Sequence, residues 1–298
     1  MVRRGTYSIV ARDPDTGELG VAVQSHWFSV GSIVSWARPG VGAVATQSIA
    51  EPAYGPRLLD RLAAGEEPQA ALDALLAADE AAKYRQVAVI GARGTPAVHT
   101  GEGCIAFAGH EAGTDFSAQA NMMARDGEGW PMRARRLPEA DGPLARRLLA
   151  ALRGAEEAGG DVRGRQSAAV VVVPASGEPW QRTVELRVED HADPLDELER
   201  LLTLHDAYTL ATEGDDLTGE GRLDEAGERY RRAAELAPGN HELLFWAGVS
   251  AFRAGDRETG LERVRRAIEL QPGWRELLGR VGPDIAPGAD VLIAELDK

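Results

Sequence analysis

Two short β-type runs separated by a tight turn open the chain, and they constrain its fold more than any other segment. The runs lie at residues 6–13 and 18–25, and the turn between them contains Pro14 and Gly17. Proline presets the backbone of a turn, and glycine accepts a positive φ. The sequence therefore predicts a β-hairpin whose first strand starts at the Gly5–Thr6 junction.

Thr6 is the first residue of that strand. If the residues before it were removed, its hydroxyl and its new α-amine would lie together. An α-amine has a pKa of about 7.7–8.0, so part of it is neutral near pH 7 and can deprotonate the hydroxyl. Threonine is also simply a good strand residue, which is the structural alternative. Because Met1 to Gly5 come first, the catalytic interpretation requires cleavage at Gly5–Thr6 or a later translation start.

Composition narrows the class of protein. The 298 residues suffice for two domains, and 44% hydrophobic with 27% charged residues is typical of a soluble globular protein. A net charge of −14 argues against nucleic acid and anionic membrane surfaces as partners. The single cysteine, Cys104, excludes an intrachain disulfide, and no segment approaches the length of a membrane span. We therefore expect a cytoplasmic protein. Lys83 and Lys298 are the only lysines, so a lysine base is almost excluded.

The remaining residues up to about 190 alternate between strand and helix patterns. Apolar runs predict strands at residues 32–37, 41–46, 86–90, 97–100, 116–122, 166–173 and 183–188. Helical periodicity predicts helices at residues 54–64, 68–78 and 144–158. This order suggests two sheets sandwiched between helix layers.

An internal repeat marks the rest of the chain, which is almost entirely helical from Asp193-Pro194 onward. Four positions recur 34 residues later: Gly214, Gly221, Ala233 and Pro238 as Gly248, Gly255, Ala267 and Pro272. This period and pattern resemble the tetratricopeptide repeat, whose concave groove binds peptides. We expect this module to bind a protein or peptide partner, or to pack a homodimer.

The first part of the chain carries six motifs in a fixed order. They lie at residues 6–13, 20–23, 40–47, 54–56, 116–121 and 160–168. Together they resemble an uncharacterised bacterial family of the N-terminal-nucleophile (Ntn) hydrolase superfamily, domain of unknown function 1028. The resemblance implies a four-layer αββα sandwich over residues 1–190. Together with the all-α tetratricopeptide-like domain that the repeat predicts over residues 191–298, this makes an α+β protein. By superfamily analogy the resemblance implies amide-bond hydrolysis, although fold analogy is a poor guide to function.

Around Thr6 we expect several helper residues. Ser8 lies on the same strand face, where it would orient the amine or only line the sheet. Ser25 ends the second strand and would relay protons or, as we favour, begin a turn. Arg38 ends a later strand, where it would supply charge but cannot act as a base.

Three further polar residues are candidates for an oxyanion hole. Thr46 and Gln47 end an apolar strand, and Asn121 ends another. Side chains of this kind can donate hydrogen bonds to a carbonyl oxygen that becomes negative. The structural alternative for each is a hydrogen-bonded strand end.

A dense polar cluster before the most apolar strand is the candidate substrate-binding segment. Its members are Asp161, Arg163, Arg165, Gln166 and Ser167. Arg165 or Gln166 would bind a substrate carboxylate or amide; equally, the cluster is a charged loop that enters a buried strand. His26, His99 and His110 lack metal-ligand spacing, and no phosphate loop is present. We expect neither a metal nor another cofactor.

These observations lead to two hypotheses. The first is an Ntn-type amidohydrolase that cleaves a small amide or peptide bond and carries a helical repeat module. The second is a catalytically silent Ntn-fold scaffold whose repeat module recruits a protein or peptide.

Overall fold

The N-terminal hairpin forms the centre of a six-stranded antiparallel sheet, here called the large sheet. The computed structural model describes residues 6–124, 140–282, 285–286 and 288–298, so Gly5 lies outside the described residues. The strands of the large sheet are β1 (Thr6–Arg12), β2 (Leu19–Ser25), β7 (Gly109–Ala112), β8 (Phe116–Asn121), β9 (Ser167–Val173) and β10 (Val184–Val188). Their order across the sheet is β10-β9-β2-β1-β8-β7.

A four-stranded antiparallel sheet, the small sheet, packs against the large one. Its strands are β3 (Ser35–Arg38), β4 (Gly42–Ser48), β5 (Arg85–Gly91) and β6 (Ala97–Thr100). Their order across the sheet is β3-β4-β5-β6. The facing sides are lined by buried small and branched side chains, among them Val10 and Val23 of the large sheet and Ala45 and Ile90 of the small one. Small residues at this interface let the two sheets approach closely.

The helices up to residue 200 are α1 (Gly31–Val34), α2 (Tyr54–Ala63), α3 (Pro68–Ala77), α4 (Leu144–Glu157) and the start of α5 (Pro194–Gly219). Helices α2 and α3 cover the outer face of the small sheet and α4 covers that of the large sheet, whereas Val34 of α1 belongs to the core between the sheets. Leu58 and Leu72 pack with Val44 and Val89 on the outer face of the small sheet. Helix α4 packs on the large sheet, where Gly20 leaves room for the side chain of Leu148. Both sheets are thus buried on two faces, which explains their nearly continuous apolar runs.

Two elements differ from the sequence prediction. The predicted strand at residues 32–37 begins only at Ser35, because residues 31–34 form helix α1. Val30, Ile33 and Val34 follow the i, i+3, i+4 spacing of a helix, and a four-residue apolar run does not distinguish the two structures. Strand β7 was not predicted, because its sequence Gly-His-Glu-Ala lacks apolar alternation.

The chain divides into the units Met1–Arg200 and Leu201–Lys298; the predicted boundary between residues 190 and 191 stays a prediction. The mixed α+β class, with two antiparallel sheets and a helical C-terminal region, is confirmed. The second unit contains the rest of α5 followed by α6 (Leu223–Leu236), α7 (His241–Arg253), α8 (Arg257–Leu270), α9 (Gly273–Leu278) and α10 (Ala289–Leu296). Among the described residues, no helix is long and apolar enough to cross a membrane.

The 34-residue repeat of the sequence recurs as a repeated contact in the second unit. A Cβ atom on Gly214 would lie 2.8 Å from the ring of Tyr230, and one on Gly248 would lie 2.8 Å from Val264. Gly248 lies 34 positions after Gly214, and Val264 lies 34 positions after Tyr230. The repeated glycines therefore serve close packing between successive helices.

Replacing Gly31 by alanine tests the packing of helix α1. The new Cβ would lie 2.4 Å from the Cβ of Ala169 in β9, so we expect a loss of about 1–3 kcal/mol in the free energy of unfolding. Gly273→Ala is the matched control, because nothing lies within 4 Å of its Cβ position. Calorimetry of the full chain measures both variants. Equal effects of the two substitutions would contradict the packing described here.

Candidate functional site

Four polar side chains form a row across adjacent strands at one end of the large sheet. Thr6 lies opposite Ser25 on one side and opposite Asn121 on the other, and Ser25 lies opposite Ser167. Directly opposed side chains point to the same face, here the face toward the small sheet. Thr6 is 2% exposed and the other three are 0% exposed. The antiparallel register therefore places Thr6 within a buried polar row.

The hydroxyl of Thr6 has a close partner in this row. Thr6 Oγ1 and Ser25 Oγ lie 3.0 Å apart, within hydrogen-bond distance. Ser8 lies on the same face, one step further along β1, and accepts a hydrogen bond from Gln119 Nε2 at 3.3 Å. The structure thus brings Ser25 directly to Thr6 and places Ser8 beside this pair.

A chain of buried amides lies next to the row, and its orientation is determined by Gln86. Gln86 Nε2 donates to the carbonyl oxygens of Gly109 at 3.1 Å and Ala120 at 2.9 Å. Because carbonyls only accept, Gln86 Oε1 is fixed as an acceptor. Gln47 Nε2 and Asn121 Nδ2 donate to it at 2.8 and 2.9 Å. Gln86 is not among the residues predicted for the site, because only the pairing of β5 with β4 brings it beside Gln47.

This arrangement leaves acceptors rather than donors beside Thr6. Gln47 Nε2 also lies 3.3 Å from the carbonyl oxygen of Thr6, and Gln119 Nε2 donates to the carbonyl of Ala45 at 3.2 Å. The amide oxygens of Gln47, Gln119 and Asn121 are buried and have no partner among the described residues. An oxyanion hole requires donors, and the side-chain amide nitrogens of Gln47 and Asn121 already donate to Gln86; an oxyanion role for these two residues stays a prediction. Acceptors without a donor suit an amine, because an amine has N–H groups that can donate to them.

Thr46 and Arg38 do not reach Thr6. Thr46 points to the opposite face of β4, where its hydroxyl donates to the carbonyl of Glu51 at 3.2 Å. Arg38 lies opposite Gly42, at the far end of β4, which is about 17 Å from Gln47 at 3.3 Å per residue. Arg38 Nη2 donates to Asp60 at 2.8 Å. Because β3 and β4 are antiparallel, the end of β3 adjoins the start of β4 and not its polar end.

Two members of the predicted substrate-binding cluster, Asp161 and Ser167, form hydrogen bonds with backbone groups. The buried Asp161 carboxylate accepts from the His26 N–H at 3.3 Å, and Arg163 pairs with it at 2.7 Å. Ser167 accepts from the Val30 N–H at 3.1 Å and donates to the carbonyl of Trp27. These contacts tie the segment after β2 to the start of β9.

The other members contact acidic side chains. Arg165 lies 2.8 Å from Asp193 and 3.5 Å from Glu156. Gln166 Nε2 donates to Asp190 at 3.1 Å. The geometry favours the charged-loop interpretation for this segment, because these contacts and those of Asp161 and Arg163 are internal.

Tyr7 connects the strand of Thr6 to helix α4 on the opposite face of the large sheet. Its hydroxyl donates to Glu156 Oε2 at 2.6 Å. Burial, followed by the charge of Glu156, raises the pKa of the Tyr7 phenol well above its ordinary value. The phenol is thus a neutral donor that holds the first strand against α4.

Backbone strain is concentrated near the same ends of the strands. Among the described residues, three that are not glycine have a positive φ: Ser29 (55°), Ser48 (70°) and Met122 (52°). Ser48 follows Gln47, and Met122 follows Asn121. Such conformations cost about 1–3 kcal/mol each and occur preferentially at functional sites.

A small cavity lies against Thr6. Its volume is about 10 Å³, and its apolar walls come from Trp27, Val30, Ile33, Val34 and Ala50. None of these five residues is among those predicted for the site from the sequence, and Ile33 and Val34 lie in a segment predicted as a strand. Their helical spacing was the available signal.

Other nucleophile and metal candidates receive no support. Burial raises the pKa of the Cys104 thiol, which disfavours the thiolate. In the part of the chain that the structure describes, no group of three His, Cys, Asp or Glu side chains could hold a metal ion.

Comparison with known proteins identifies the family. Residues 6–198 match the sequence model of the family of unknown function DUF1028, and the chain belongs to that family. Protein SPO2555 from Silicibacter pomeroyi, a crystal structure assigned to the same family, is 30% identical with a TM-score of 0.60 over 66% of this chain and 88% of that one. Anbu (ancestral beta-subunit) from Yersinia bercovieri is 13% identical with a TM-score of 0.32, over 66% and 92% of the two chains. That TM-score supports no inference. No curated protein matches the sequence.

Two buried glutamines of similar sequence context should respond oppositely to substitution by leucine. Gln86→Leu removes the side-chain donor of two carbonyls and the acceptor of two side-chain amides, so we expect a loss of about 3 kcal/mol or more in the free energy of unfolding. Gln24 is 0% exposed, and neither of its amide atoms has a partner among the described residues. Gln24→Leu should therefore be neutral or stabilise by about 1 kcal/mol. Urea unfolding measures both; a large loss for Gln24→Leu would contradict the assignment.

The raised pKa of Tyr7 predicts a pH-dependent contribution to stability. Below about pH 10 the phenol is protonated in both the folded and the unfolded chain. Above that pH the unfolded chain ionises while the native phenol stays neutral, so the native state loses stability by up to about 1.4 kcal/mol per pH unit. Tyr7→Phe removes this loss. Unfolding free energies at several pH values between 8 and 11.5 should converge for the two proteins as pH rises, and parallel curves would refute the prediction.

Proposed function

We propose that this protein is an Ntn-type amidohydrolase whose nucleophile is Thr6. The observation that carries the proposal is the Thr6 hydroxyl at the end of the central strand, 3.0 Å from the Ser25 hydroxyl and beside bare amide acceptors. A hydroxyl nucleophile with an adjacent group that can carry its proton is the arrangement that acyl transfer requires. The layers of helix, sheet, sheet and helix support assignment of the fold as an αββα Ntn sandwich.

The proposed reaction uses Thr6 as nucleophile and base together. Its neutral α-amine, directly or through Ser25, takes the hydroxyl proton while Oγ1 bonds to the amide carbonyl carbon. The C–N bond then breaks, the departing amine takes that proton, and an ester remains on Oγ1. Water hydrolyses the ester, releases the acid and restores the hydroxyl. In this scheme the oxygens of Gln47, Gln119 and Asn121 accept from the N–H groups of the amine and orient it.

The mechanism requires that Thr6 becomes the N-terminus. We propose that the Gly5–Thr6 bond is cleaved after synthesis, or that translation starts later than Met1. Its substrate would be a small amide or peptide. The C-terminal helices would form a tetratricopeptide-like module that binds a protein or peptide partner or packs a homodimer, and the repeated close contacts at Gly214 and Gly248 support this assignment.

A second candidate function comes from another class. Thr6 is 2% exposed, and the cavity beside it holds about one water molecule. This closed geometry favours a silent scaffold whose repeat module recruits a partner. A cavity of about 270 Å³ along α6, α7 and α8, which includes the buried Ser250, would receive the peptide.

Intact-mass spectrometry of protein produced without an N-terminal tag tests the first proposal. The wild-type chain should lose residues 1–5 and react once with a β-lactone probe at Thr6. Thr6→Ala should abolish both, and Thr6→Ser should retain both because it keeps the hydroxyl. Ser25→Ala should slow labelling about 100-fold, the usual effect of losing an acid–base group.

Thr16→Ala serves as the control, since Thr16 lies exposed in the first turn; its processing and labelling should match the wild type. A full-length chain that the probe does not modify would refute the enzyme proposal and favour the scaffold.

A further inference from the structure

The cavity beside Thr6 has properties that bear on which acyl group the site accepts. Thr6 itself forms part of its lining, together with Gln47 and Ser48. An acyl carbon bonded to Thr6 Oγ1 would therefore direct its substituent into or past this space. We propose that the cavity selects a methyl-sized, uncharged acyl side chain, so that the substrates are amides of short aliphatic acids; this inference rests on the proposed function.

The size of the cavity sets the first limit. Its volume is about 10 Å³, close to the minimum that one water molecule needs, and a methyl group is the alkyl substituent nearest to that size. Larger side chains would displace the walls, and overpacking a rigid site is costly. The cavity therefore discriminates by size.

The rigidity of the walls makes this limit effective. Val30 and Val34 are 2% and 3% exposed and belong to the core between the two sheets. The N–H of Val30 is held by Ser167 Oγ at 3.1 Å. Gly31 lies so close to Ala169 that a Cβ atom would not fit. Helix α1 is thus fixed against the large sheet on the side away from the cavity.

The chemistry of the walls sets the second limit. The lining contains five apolar residues and the polar but uncharged Thr6, Gln47 and Ser48. A charged acyl side chain would lose its hydration there without gaining an opposite charge. Acidic and basic side chains are therefore rejected along with large ones.

A series of α-substituted β-lactones tests this selectivity. The protein is the complete chain from Thr6 to Lys298, released from a fusion by a protease that cuts before Thr6. In each reaction Oγ1 bonds to the lactone carbonyl, the ring C–O bond breaks, and the ring oxygen takes the hydroxyl proton. Second-order rates from intact-mass measurements should be at least about tenfold higher for the α-methyl lactone than for the α-benzyl or α-carboxymethyl lactone.

Enlarging the cavity should relax the preference. Ile33→Ala removes a half-buried wall residue, so the rate ratio of α-isobutyl to α-methyl lactone should rise about tenfold. Val34→Ala is a second enlarging variant with the same expected direction, and retained α-methyl labelling shows that each variant is folded. Ile268→Ala, in the second unit, is the matched control and should keep the wild-type ratio.

The possible failures are distinguishable. Labelling of Thr6 that is equally fast with the α-benzyl or α-carboxymethyl lactone overturns the selectivity but leaves Thr6 as the nucleophile. An unchanged ratio in both Ile33→Ala and Val34→Ala also overturns it. Absence of labelling by every lactone overturns the proposed function, and this inference with it.

Discussion

The arrangement around Thr6 depends on the side-chain amide of Gln86. Gln86 lies on β5 of the small sheet, yet its Nε2 donates to the carbonyls of Gly109 and Ala120 in the large sheet. A buried carbonyl without a donor costs about 1–3 kcal/mol, so reversing this amide would lose both contacts. Its oxygen must then accept from Gln47 and Asn121, whose own oxygens are buried and have no donor among the described residues. The orientation of the Gln86 amide thus leaves hydrogen-bond acceptors rather than donors beside Thr6.

The register of the hairpin determines which side chain meets these acceptors. Thr6 pairs with Ser25 and Asn121, and Tyr7 points to the opposite face. A slip by one residue would exchange the faces of the whole strand. The bond from the Tyr7 hydroxyl to Glu156 on α4 opposes such a slip, because the phenol reaches α4 only from its present face. The contact on one face therefore secures the position of the hydroxyl on the other.

Local signals in the sequence sufficed for the hairpin, most strands and helices, and the position of Thr6. They did not suffice where the outcome depends on distant contacts. Gln24 and Gln86 both border valine-rich strands, but only Gln86 meets carbonyls of the other sheet. Arg38 was placed near Thr6 because it ends a strand, whereas the antiparallel direction of β3 takes it to the far end. Which groups a buried side chain meets thus depends on how the strands pair, and the periodicity of the sequence does not specify that pairing.

The closed geometry of the site and its proposed chemistry have opposite requirements for the segment that contains α1. An acyl group must approach a hydroxyl that is 2% exposed, yet exclusion of water strengthens the hydrogen bonds that would orient the amine. Helix α1 has only four residues and no side-chain N-cap, so its stability comes from tertiary contacts rather than from its own hydrogen bonds. The positive φ of Ser29 and Ser48 stores strain at two places beside the cavity. The walls of the cavity therefore depend on the contacts of Val30 and Val34 with the core between the two sheets rather than on α1 by itself.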